Sequence, residues 1–283
     1  MTLSARDFCL PLGASTKIMG IVNVTPDSFS QDGCLAQKTG FVARAVRQAR
    51  KMIREGADIV DIGGESTRPG AKRVSVKEEA GRVIPVIAKL AKNVSVPISV
   101  DTYKPAVARR ALDAGASIVN NIQGVRAEKE LLRMVRDYNA AIVLMHMRGT
   151  PRTMQRNTVY TRLIDDITAS LQKSIEICLE IGIKSDKIIV DPGIGFGKSA
   201  EQNLEILHRL KEFKRLGYPV LIGTSRKSFI GQILEKDVQH RLMGTAATVC
   251  AAVLNGAHIV RVHDVKAIAD TVRVADAIVN QKY

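Results

Sequence analysis

The sequence has 283 residues, of which 46% are hydrophobic and 25% are charged, a balance that excludes a disordered chain. Its four cysteines lie far apart without metal-ligand spacing, so we expect reduced thiols in a cytoplasmic protein. The N-terminus shows no signal peptide, and the longest apolar tract, near residues 246–254, is about half the roughly 20 residues that a membrane span needs. The net charge is +14, from 42 Lys and Arg residues against 28 Asp and Glu residues, which would favour an anionic ligand.

Eight short apolar runs recur along the chain, and each leads into polar residues at its carboxyl end. Runs of β-branched residues without alternation are typical of strands in a parallel sheet, because both faces of such strands are buried. The runs are 18–22 before Asn23, 59–62 before Gly63, 98–100 before Asp101, 118–119 before Asn120, 141–145 before His146, 188–190 before Asp191, 220–222 before Gly223 and 259–262 before His263.

Amphipathic segments separate these runs and predict helices. They cover about 39–55, 76–92, 105–114, 127–138, 161–181, 200–216, 240–255 and 265–280. Strand and helix therefore alternate eight times, which predicts an α/β protein folded as a (β/α)8 TIM barrel, with residues 1–283 forming a single domain. Gly56, Gly115 and Gly256 each stand where a helix stops before a strand, as left-handed C-caps do. The spacing of Ser75 and Glu78 predicts a capping box.

The most basic predicted helix, residues 42–54, carries Val46 and Ala49 on one apolar stripe and its arginines elsewhere. That arrangement favours a solvated outer helix over a nucleic-acid groove, and no RNP, zinc or helix-turn-helix pattern accompanies it. We therefore expect no nucleic-acid partner. A basic barrel that binds nucleic acid without catalysis stays open as an alternative, and it predicts steeply salt-dependent binding.

Polar residues at the ends of the third, fourth and sixth runs predict one binding site. Asp101, Asn120 and Asp191 should converge at the mouth of the barrel, where Lys227 could approach from the seventh run. The stretch from Asp191 is similar to a phosphate-binding P-loop, but Pro192 stands where that motif needs glycine. Buried carboxylates need donors, so a heterocycle with a donor-donor edge would suit this floor. The alternative is that Asp191 caps its own turn.

A second group of polar residues lies where the barrel should close. Arg261 and His263 flank the end of the eighth run and Asn23 ends the first, so these side chains should meet. Two potential cations and an amide predict a phosphate or pyrophosphate site, although Arg-x-His alone also suits an exposed strand end. Asn23 could lend its amide oxygen to Mg²⁺, which takes few protein ligands. His146 stays open between a pocket residue and a structural one.

Seven segments, in order along the chain at these strand ends, resemble the dihydropteroate synthases of the folate pathway. They are 20–30, 63–70, 99–102, 144–147, 191–198, 225–229 and 261–265. The resemblance implies a homodimer built on helices late in the chain, and two long connections, 23–38 and 63–75, that close over p-aminobenzoate. Asn121 stands where the family usually has aspartate, and Gln123 stands where a small polar residue is common.

By this resemblance, (7,8-dihydropterin-6-yl)methyl diphosphate and p-aminobenzoate condense to 7,8-dihydropteroate and diphosphate. The implied residues are Asp101, Asn120, Asp191 and Lys227 for the pterin, Asn23, Thr67, Arg261 and His263 for the pyrophosphate, Arg68, Pro69, Phe196 and Ser228 for p-aminobenzoate, Asn23 for the cofactor Mg²⁺, and Asp101, Lys227 and Arg68 for catalysis. An aryl amine is neutral at pH 7, so the difficult step is the departure of diphosphate. The alternative enzyme is a pterin-dependent methyltransferase on the same barrel, which would need a corrinoid partner.

Overall fold

The computed structural model describes residues 1–25, 40–67, 70–71, 73–154 and 158–281. In these ranges the strands β1 to β10 are Thr2–Ala5, Phe8–Pro11, Lys17–Asn23, Ile59–Gly63, Ile98–Asp101, Ile118–Asn121, Ala141–Met145, Ile188–Asp191, Leu221–Ile222 and Ile259–Val262. The α-helices α1 to α9 are Gly40–Arg54, Val76–Ala91, Pro105–Asp113, Lys129–Asp137, Leu163–Ile181, Ala200–His208, Ser228–Leu234, Leu242–Leu254 and Val265–Asn280.

Strands β3 to β10 form one parallel sheet, in which β10 pairs with β3 on one side and with β9 on the other. The remaining pairs follow chain order from β3 to β8. A backbone bridge between Val190 of β8 and Val220, just before β9, joins the two edges and closes the ring. The predicted (β/α)8 barrel is confirmed, and its strands coincide with the eight apolar runs. Because the strands are parallel, their carboxyl ends meet at one face of the barrel.

An N-terminal hairpin of β1 and β2, which the sequence analysis did not predict, covers the opposite face of the barrel. Leu3, Ala5 and Leu12 are buried there in a cluster with inward-facing strand residues. These are Met19, Ile59, Ile118, Ala141, Val143, Ile189, Leu221 and Ile259. Burial of this apolar surface stabilises the amino end of the barrel. The charged interior residues Asp61, Asp101 and Arg261 lie beyond this cluster, toward the carboxyl face.

The caps of the helices follow the predicted glycine pattern. Gly56, Gly115 and Gly256 have φ angles of +104°, +108° and +91°, so each adopts the left-handed conformation that ends a helix. At the start of α2, Ser75 Oγ accepts a hydrogen bond of 3.2 Å from Glu78 N. The Glu78 carboxylate pairs with the arginine four residues later, so only the serine half of the capping box is seen.

The helices differ from the predicted segments in several places. The segment 200–216 is two elements, because α6 ends at His208 and a 3₁₀-helix follows over Leu210–Leu216. Helix α4 begins two residues later than predicted, after a 3₁₀-turn over Gly124–Arg126. Helix α7 was not predicted, because its seven residues are too few to show a helical period. Phe229 and Ile230 are buried and hold it against the core.

The described helices include none with the length and apolar character needed to cross a membrane. Cys9, Cys178 and Cys250 are free thiols, and Cys34 lies outside the described residues. Burial raises the pKa of the Cys178 thiol to about 12, which keeps it protonated and chemically inert at neutral pH.

Candidate active site

A buried ion-pair network crosses the carboxyl end of the barrel. Arg261 on β10 donates from Nε to Asp61 Oδ2 at 2.7 Å and from Nη2 to Asp101 Oδ2 at 2.7 Å. Asn120 Nδ2, on β6, donates to the same Asp61 oxygen at 3.0 Å. Four strands, β4, β5, β6 and β10, thus each contribute one side chain to a single polar cluster. The predicted convergence of Asp101 and Asn120 is seen, but the arginine between the carboxylates was not foreseen.

Asp61 is the member of this network that the sequence analysis missed. It lies inside the second apolar run, was counted as part of that run, and is fully buried. The available signal was a charged residue within an otherwise apolar strand, since such a residue is retained only where its charge is matched. Its second oxygen, Oδ1, is buried and has no hydrogen-bond partner among the described residues. A buried acceptor of this kind is a candidate contact for a ligand.

Burial changes the charge states of the ionisable residues at the mouth. It raises the pKa of Asp101 to about 7, partly opposed by Arg261 and reinforced by Asp61. Burial also raises the pKa of Asp191, opposed mainly by Lys227. In turn, burial lowers the pKa of Lys227 to about 8, opposed by Asp191. Groups with pKa values near neutrality in a concave site are typical of active sites.

A tight glycine turn follows Asp191 and brings Lys227 and Phe196 together. Gly193 N donates to Asp191 Oδ1 at 2.7 Å, so the alternative in which Asp191 caps its own turn is also realised. Lys227 Nζ donates to the carbonyl of Ile194 and lies 4.6 Å from the centroid of the Phe196 ring. The turn therefore places an ammonium group and an aromatic face beside Asp191.

A second buried lysine, Lys198, supports this turn from within and was not singled out from the sequence. Its Nζ donates to the carbonyl oxygens of Gly193 at 2.9 Å and Phe196 at 3.0 Å, and lies 3.0 Å from His146 Nδ1. Burial lowers the pKa of Lys198 to about 7, and burial together with Lys198 lowers that of His146 to about 2. His146 is therefore neutral and accepts from the ammonium, which indicates a supporting role.

Gly193→Ala is expected to destabilise the protein more than Gly217→Ala. Both glycines have positive φ angles, +73° and +78°, so alanine at either position should lower the free energy of unfolding by a similar conformational cost of about 1–2 kcal/mol. A Cβ at Gly193 would lie 1.9 Å from the carbonyl oxygen of His146, whereas one at Gly217 meets no described atom within 4 Å. The clash should add about 1–3 kcal/mol to the loss of unfolding free energy, measured by urea denaturation. Equal losses in the two variants would contradict this account of the turn.

His263 and Asn23 meet where the barrel closes, as predicted. Asn23 Nδ2 lies 3.4 Å from His263 Nε2, and the other ring nitrogen lies 2.9 Å from Ser225 Oγ. Ser225 Oγ also accepts from His263 N at 3.2 Å, so this buried serine, to which the sequence analysis gave no role, orients the ring. The guanidinium of Arg261 is already engaged by two carboxylates, and its role toward an anion stays a prediction.

The residues predicted for p-aminobenzoate are less completely described. Phe196 is half-buried beside Lys227, and Ser228 is exposed as the first residue of α7. Thr67 is half-buried shortly after β4. Arg68 and Pro69 lie outside the described residues, so their predicted roles stay predictions.

An apolar cluster forms one wall of the same face. Ile122, Met145, Met147 and Met154 are buried there, with Tyr103 and Phe196 packed against them. Pockets for flat organic ligands commonly combine such apolar walls with a few polar groups that fix the ligand's orientation. The polar network, the two lysines and this wall together suit a flat heterocycle that carries an anionic substituent.

Comparisons with known proteins agree with this geometry. Residues 19–263 match the family of pterin binding enzymes. A dihydropteroate synthase of Synechocystis is 49% identical over 267 residues, which cover 94% of this chain and 91% of that protein. The solved dihydropteroate synthase of Yersinia pestis, in a sulfonamide drug complex, has a TM-score of 0.91 and 41% identity, covering 98% of this chain and 99% of that one.

A second solved structure, the dihydropteroate synthase of Clostridium difficile in the presence of pteroic acid, has a TM-score of 0.88 and 45% identity. It covers 95% of this chain and 98% of its own. Matches of this extent concern the whole barrel, including the strand ends that carry the polar network. The chain therefore belongs to the family of pterin binding enzymes and, within it, to the dihydropteroate synthases.

Proposed function

We propose that this enzyme transfers the pterin-methyl group of (7,8-dihydropterin-6-yl)methyl diphosphate to the amine of p-aminobenzoate, releasing diphosphate. The observation that carries the proposal is the buried network in which Arg261 joins Asp61 to Asp101, beside Asn120. The relative from C. difficile was crystallised in the presence of pteroic acid, a pterin joined through a methylene to p-aminobenzoate. Pteroic acid contains the two halves that the proposed reaction connects.

The polar floor offers what the edge of a pterin requires. The Asp61 Oδ1 atom, without a partner among the described residues, would accept from a ring N–H or amino group. Asn120 already donates to Asp61, which leaves its amide oxygen as a further acceptor. Lys227 supplies a donor beside Asp191, whose carboxylate would accept from the amino-pyrimidine edge. These assignments are the ones predicted from the sequence, with Asp61 added.

Asn23, Thr67, Arg261 and His263 are proposed to hold the diphosphate. A Cβ on Gly63 would lie 3.7 Å from Asn23 Oδ1, so this amide oxygen borders the space that the glycine leaves open. Mg²⁺ is commonly held by one or two protein oxygens together with substrate phosphates and water, and Asn23 Oδ1 would be such a ligand. When bound, Mg²⁺ would neutralise part of the charge on the departing diphosphate.

The chemical step follows from the charges at the mouth. The bond between the methylene carbon and the diphosphate oxygen breaks, and its electron pair leaves with the diphosphate. The cation that remains is delocalised into the pterin, where the carboxylates of Asp61 and Asp101 favour it. The amine lone pair of p-aminobenzoate then forms the new carbon–nitrogen bond, and the nitrogen loses one proton to solvent. We propose this dissociative path because no activated nucleophile is needed.

Phe196 and Ser228 are the described residues proposed for p-aminobenzoate. Both adjoin Lys227, Phe196 through its ring and Ser228 as the next residue in the chain. An aryl ring on Phe196 would bring its amine toward the methylene held over the polar floor. Arg68 and Pro69 are proposed to complete this subsite.

The proposal is tested by incubating the protein with Mg²⁺, the dihydropterin diphosphate and p-aminobenzoate. We expect one diphosphate and one 7,8-dihydropteroate per turnover, with release that requires both substrates. Release without the amine would indicate hydrolysis, and no release would overturn the proposal. Methyl transfer from a methylated pterin to a corrinoid, without diphosphate release, would instead support the methyltransferase alternative.

We propose that two copies of the chain associate through α8 and α9. Several large apolar side chains of these two helices are exposed, namely Met243, Leu254, Val274, Ile278 and Val279. Apolar side chains clustered on a surface mark interaction sites, since their exposure to water is unfavourable. The face lies on the outer helical layer, so association there would leave the mouth of the barrel accessible.

A further inference from the structure

A buried lysine outside the polar network joins two carboxylates and a backbone carbonyl. Lys104 is the N-cap residue of α3, three residues after the end of β5. Its Nζ donates to the carboxylate of Glu65, to Glu79 Oε2 at 2.5 Å and to the carbonyl oxygen of Val74 at 2.6 Å. The side chains of Lys104, Glu65 and Glu79 are only 13%, 10% and 1% exposed. Nothing in the proposed chemistry uses this cluster.

The cluster holds both ends of one connection. Glu65 lies two residues after β4, and Val74 lies two residues before α2, so the single ammonium of Lys104 links the start and the end of the segment between them. Tyr103 reinforces the first tie by donating from its hydroxyl to Glu65 Oε1 at 3.1 Å. Thr67, proposed to contact the diphosphate, stands two residues after Glu65 within this segment.

A second contact fixes the same starting point independently of Lys104. Arg82 Nη1, on α2, donates to the carbonyl oxygen of Gly64 at 2.6 Å. The start of the connection is therefore attached both to α2 and, through Lys104, to the end of β5 that carries Asp101. Charge-assisted hydrogen bonds in poorly hydrated surroundings are worth more than neutral bonds at a surface. Such ties hold a short segment in one place before a ligand arrives.

We infer that Lys104 is a positioning residue that sets the location of Thr67 relative to Asp101, and so the placement of the diphosphate over the reacting methylene. The inference rests on the proposed synthase function. Lys104 contacts Glu65, Glu79 and Val74 and is not proposed to contact either substrate. It acts through Glu65 and Val74, with Glu79 as the buried counter-charge that keeps the ammonium in place.

Lys104→Met and Lys17→Met form a matched pair for the test. Lys17 has a side chain 15% exposed and pairs with Asp58 at 3.5 Å, but it lies at the amino end of β3, at the opposite face of the barrel. The first measurement is hydrogen exchange of the amides of residues 64–67 and 73–75, which needs no substrate. We expect exchange there to be about tenfold faster in Lys104→Met, corresponding to the loss of a charge-assisted contact, and unchanged in Lys17→Met.

The second measurement separates the two parts of the pterin substrate. In Lys104→Met we expect KM for the dihydropterin diphosphate to rise about tenfold, with binding of 6-hydroxymethyl-7,8-dihydropterin, which lacks the phosphates, within about twofold of the parent. Lys104→Arg retains the charge and the donors, so it should recover most of the loss. If Lys104→Met does not fold, Lys104→Met with Glu79→Gln neutralises the more buried of the two carboxylates that lose their cation and is used in its place.

The exchange and KM measurements together decide whether Lys104 is a positioning residue. Exchange and KM that match Lys17→Met overturn the inference, and so does faster exchange with unchanged KM, because the tie would then exist without positioning anything. Equal losses for the phosphorylated and unphosphorylated pterins would also overturn it. Absence of product from the parent enzyme would defeat the proposed function alone, since the exchange measurement still reports whether Lys104 holds the connection.

Discussion

Asp101→Asn is expected to lower kcat at saturating substrates by about 10²- to 10³-fold, the range found when one preorganised electrostatic group is removed from an active site. The carboxylate lies 2.7 Å from Arg261 and beside the space where positive charge would develop. Asparagine keeps the shape and can still accept from the guanidinium, but it cannot offset a cation. Steady-state measurement of diphosphate release at saturation separates this loss from weaker pterin binding.

The pH dependence of kcat/KM is a second test of the role predicted for the Asp101 carboxylate. Burial, partly opposed by Arg261, raises the pKa of Asp101 to about 7, so the carboxylate gains a proton as the pH falls through that value. In the parent enzyme kcat/KM should therefore decline below about pH 7, and it should decline again above about pH 8 as the Lys227 ammonium is lost. In Asp101→Asn the acidic decline should be absent, whereas the basic one should remain.

A control shows whether any paired aspartate has this effect. Asp58 accepts from Ile18 N at 2.8 Å and lies near Lys17, at the amino face of the barrel. Asp58→Asn should lower stability modestly and leave kcat and the pH profile unchanged. An unaltered kcat in Asp101→Asn, with pterin binding intact, would show that the carboxylate does not stabilise the developing cation.

The fold and the location of the site were predictable because both follow from local sequence patterns, namely apolar runs and the polar residues that end them. A strand buried on both faces needs an uninterrupted apolar run, and eight such runs separated by amphipathic segments leave few arrangements besides a closed barrel. Once the strands are parallel, Asp101, Asn120 and Asp191 must share one face, whatever their spacing in the sequence. The contact between Asn23 and His263 followed from closure of the same ring.

The pairing of the charges was not predictable, because it depends on which inward-facing side chains meet across the barrel. Asp61 and Arg261 are 200 residues apart, and neither position indicates the other. The contact of Lys198 with the neutral ring of His146 depends on a glycine turn whose folded shape no local pattern specifies. The role of Lys104 likewise depends on its ion pairs with Glu65 and Glu79, which lie in separate parts of the chain. The partners of such buried charged residues are distant in sequence, so only the folded structure identifies them.

The second large effect is expected from Arg261→Met, which should lower the free energy of unfolding by about 3–5 kcal/mol near pH 8. Removal of one partner from a buried ion pair leaves an uncompensated charge, and here it leaves two, on Asp61 and Asp101. Methionine retains much of the side-chain volume, so the loss is mainly electrostatic. Urea denaturation followed by circular dichroism measures it, and synthesis of dihydropteroate should also be severely impaired.

The sign of the pH effect tests that explanation. Without the guanidinium, the pKa of Asp101 rises further above its unfolded value, because the group that opposed the effect of burial is gone. The folded variant then binds more protons than the unfolded chain in the range between those two pKa values, so its stability increases as the pH falls through that range. The parent takes up the same proton once the pH falls below about 7, so the deficit relative to the parent should shrink mainly between pH 8 and pH 7 and change little from there to pH 5.

A variant without any of the three buried charges separates electrostatic from packing effects of Arg261. Arg261→Met combined with Asp61→Asn and Asp101→Asn removes the cation and both carboxylates together, so it should regain much of the stability lost in Arg261→Met while remaining inactive. A deficit that is the same at pH 5 and pH 8, and that the two asparagines do not relieve, would mean that Arg261 stabilises the barrel through packing. Recovery with inactivity would instead show that these charges are retained for the reaction, because the barrel folds without them.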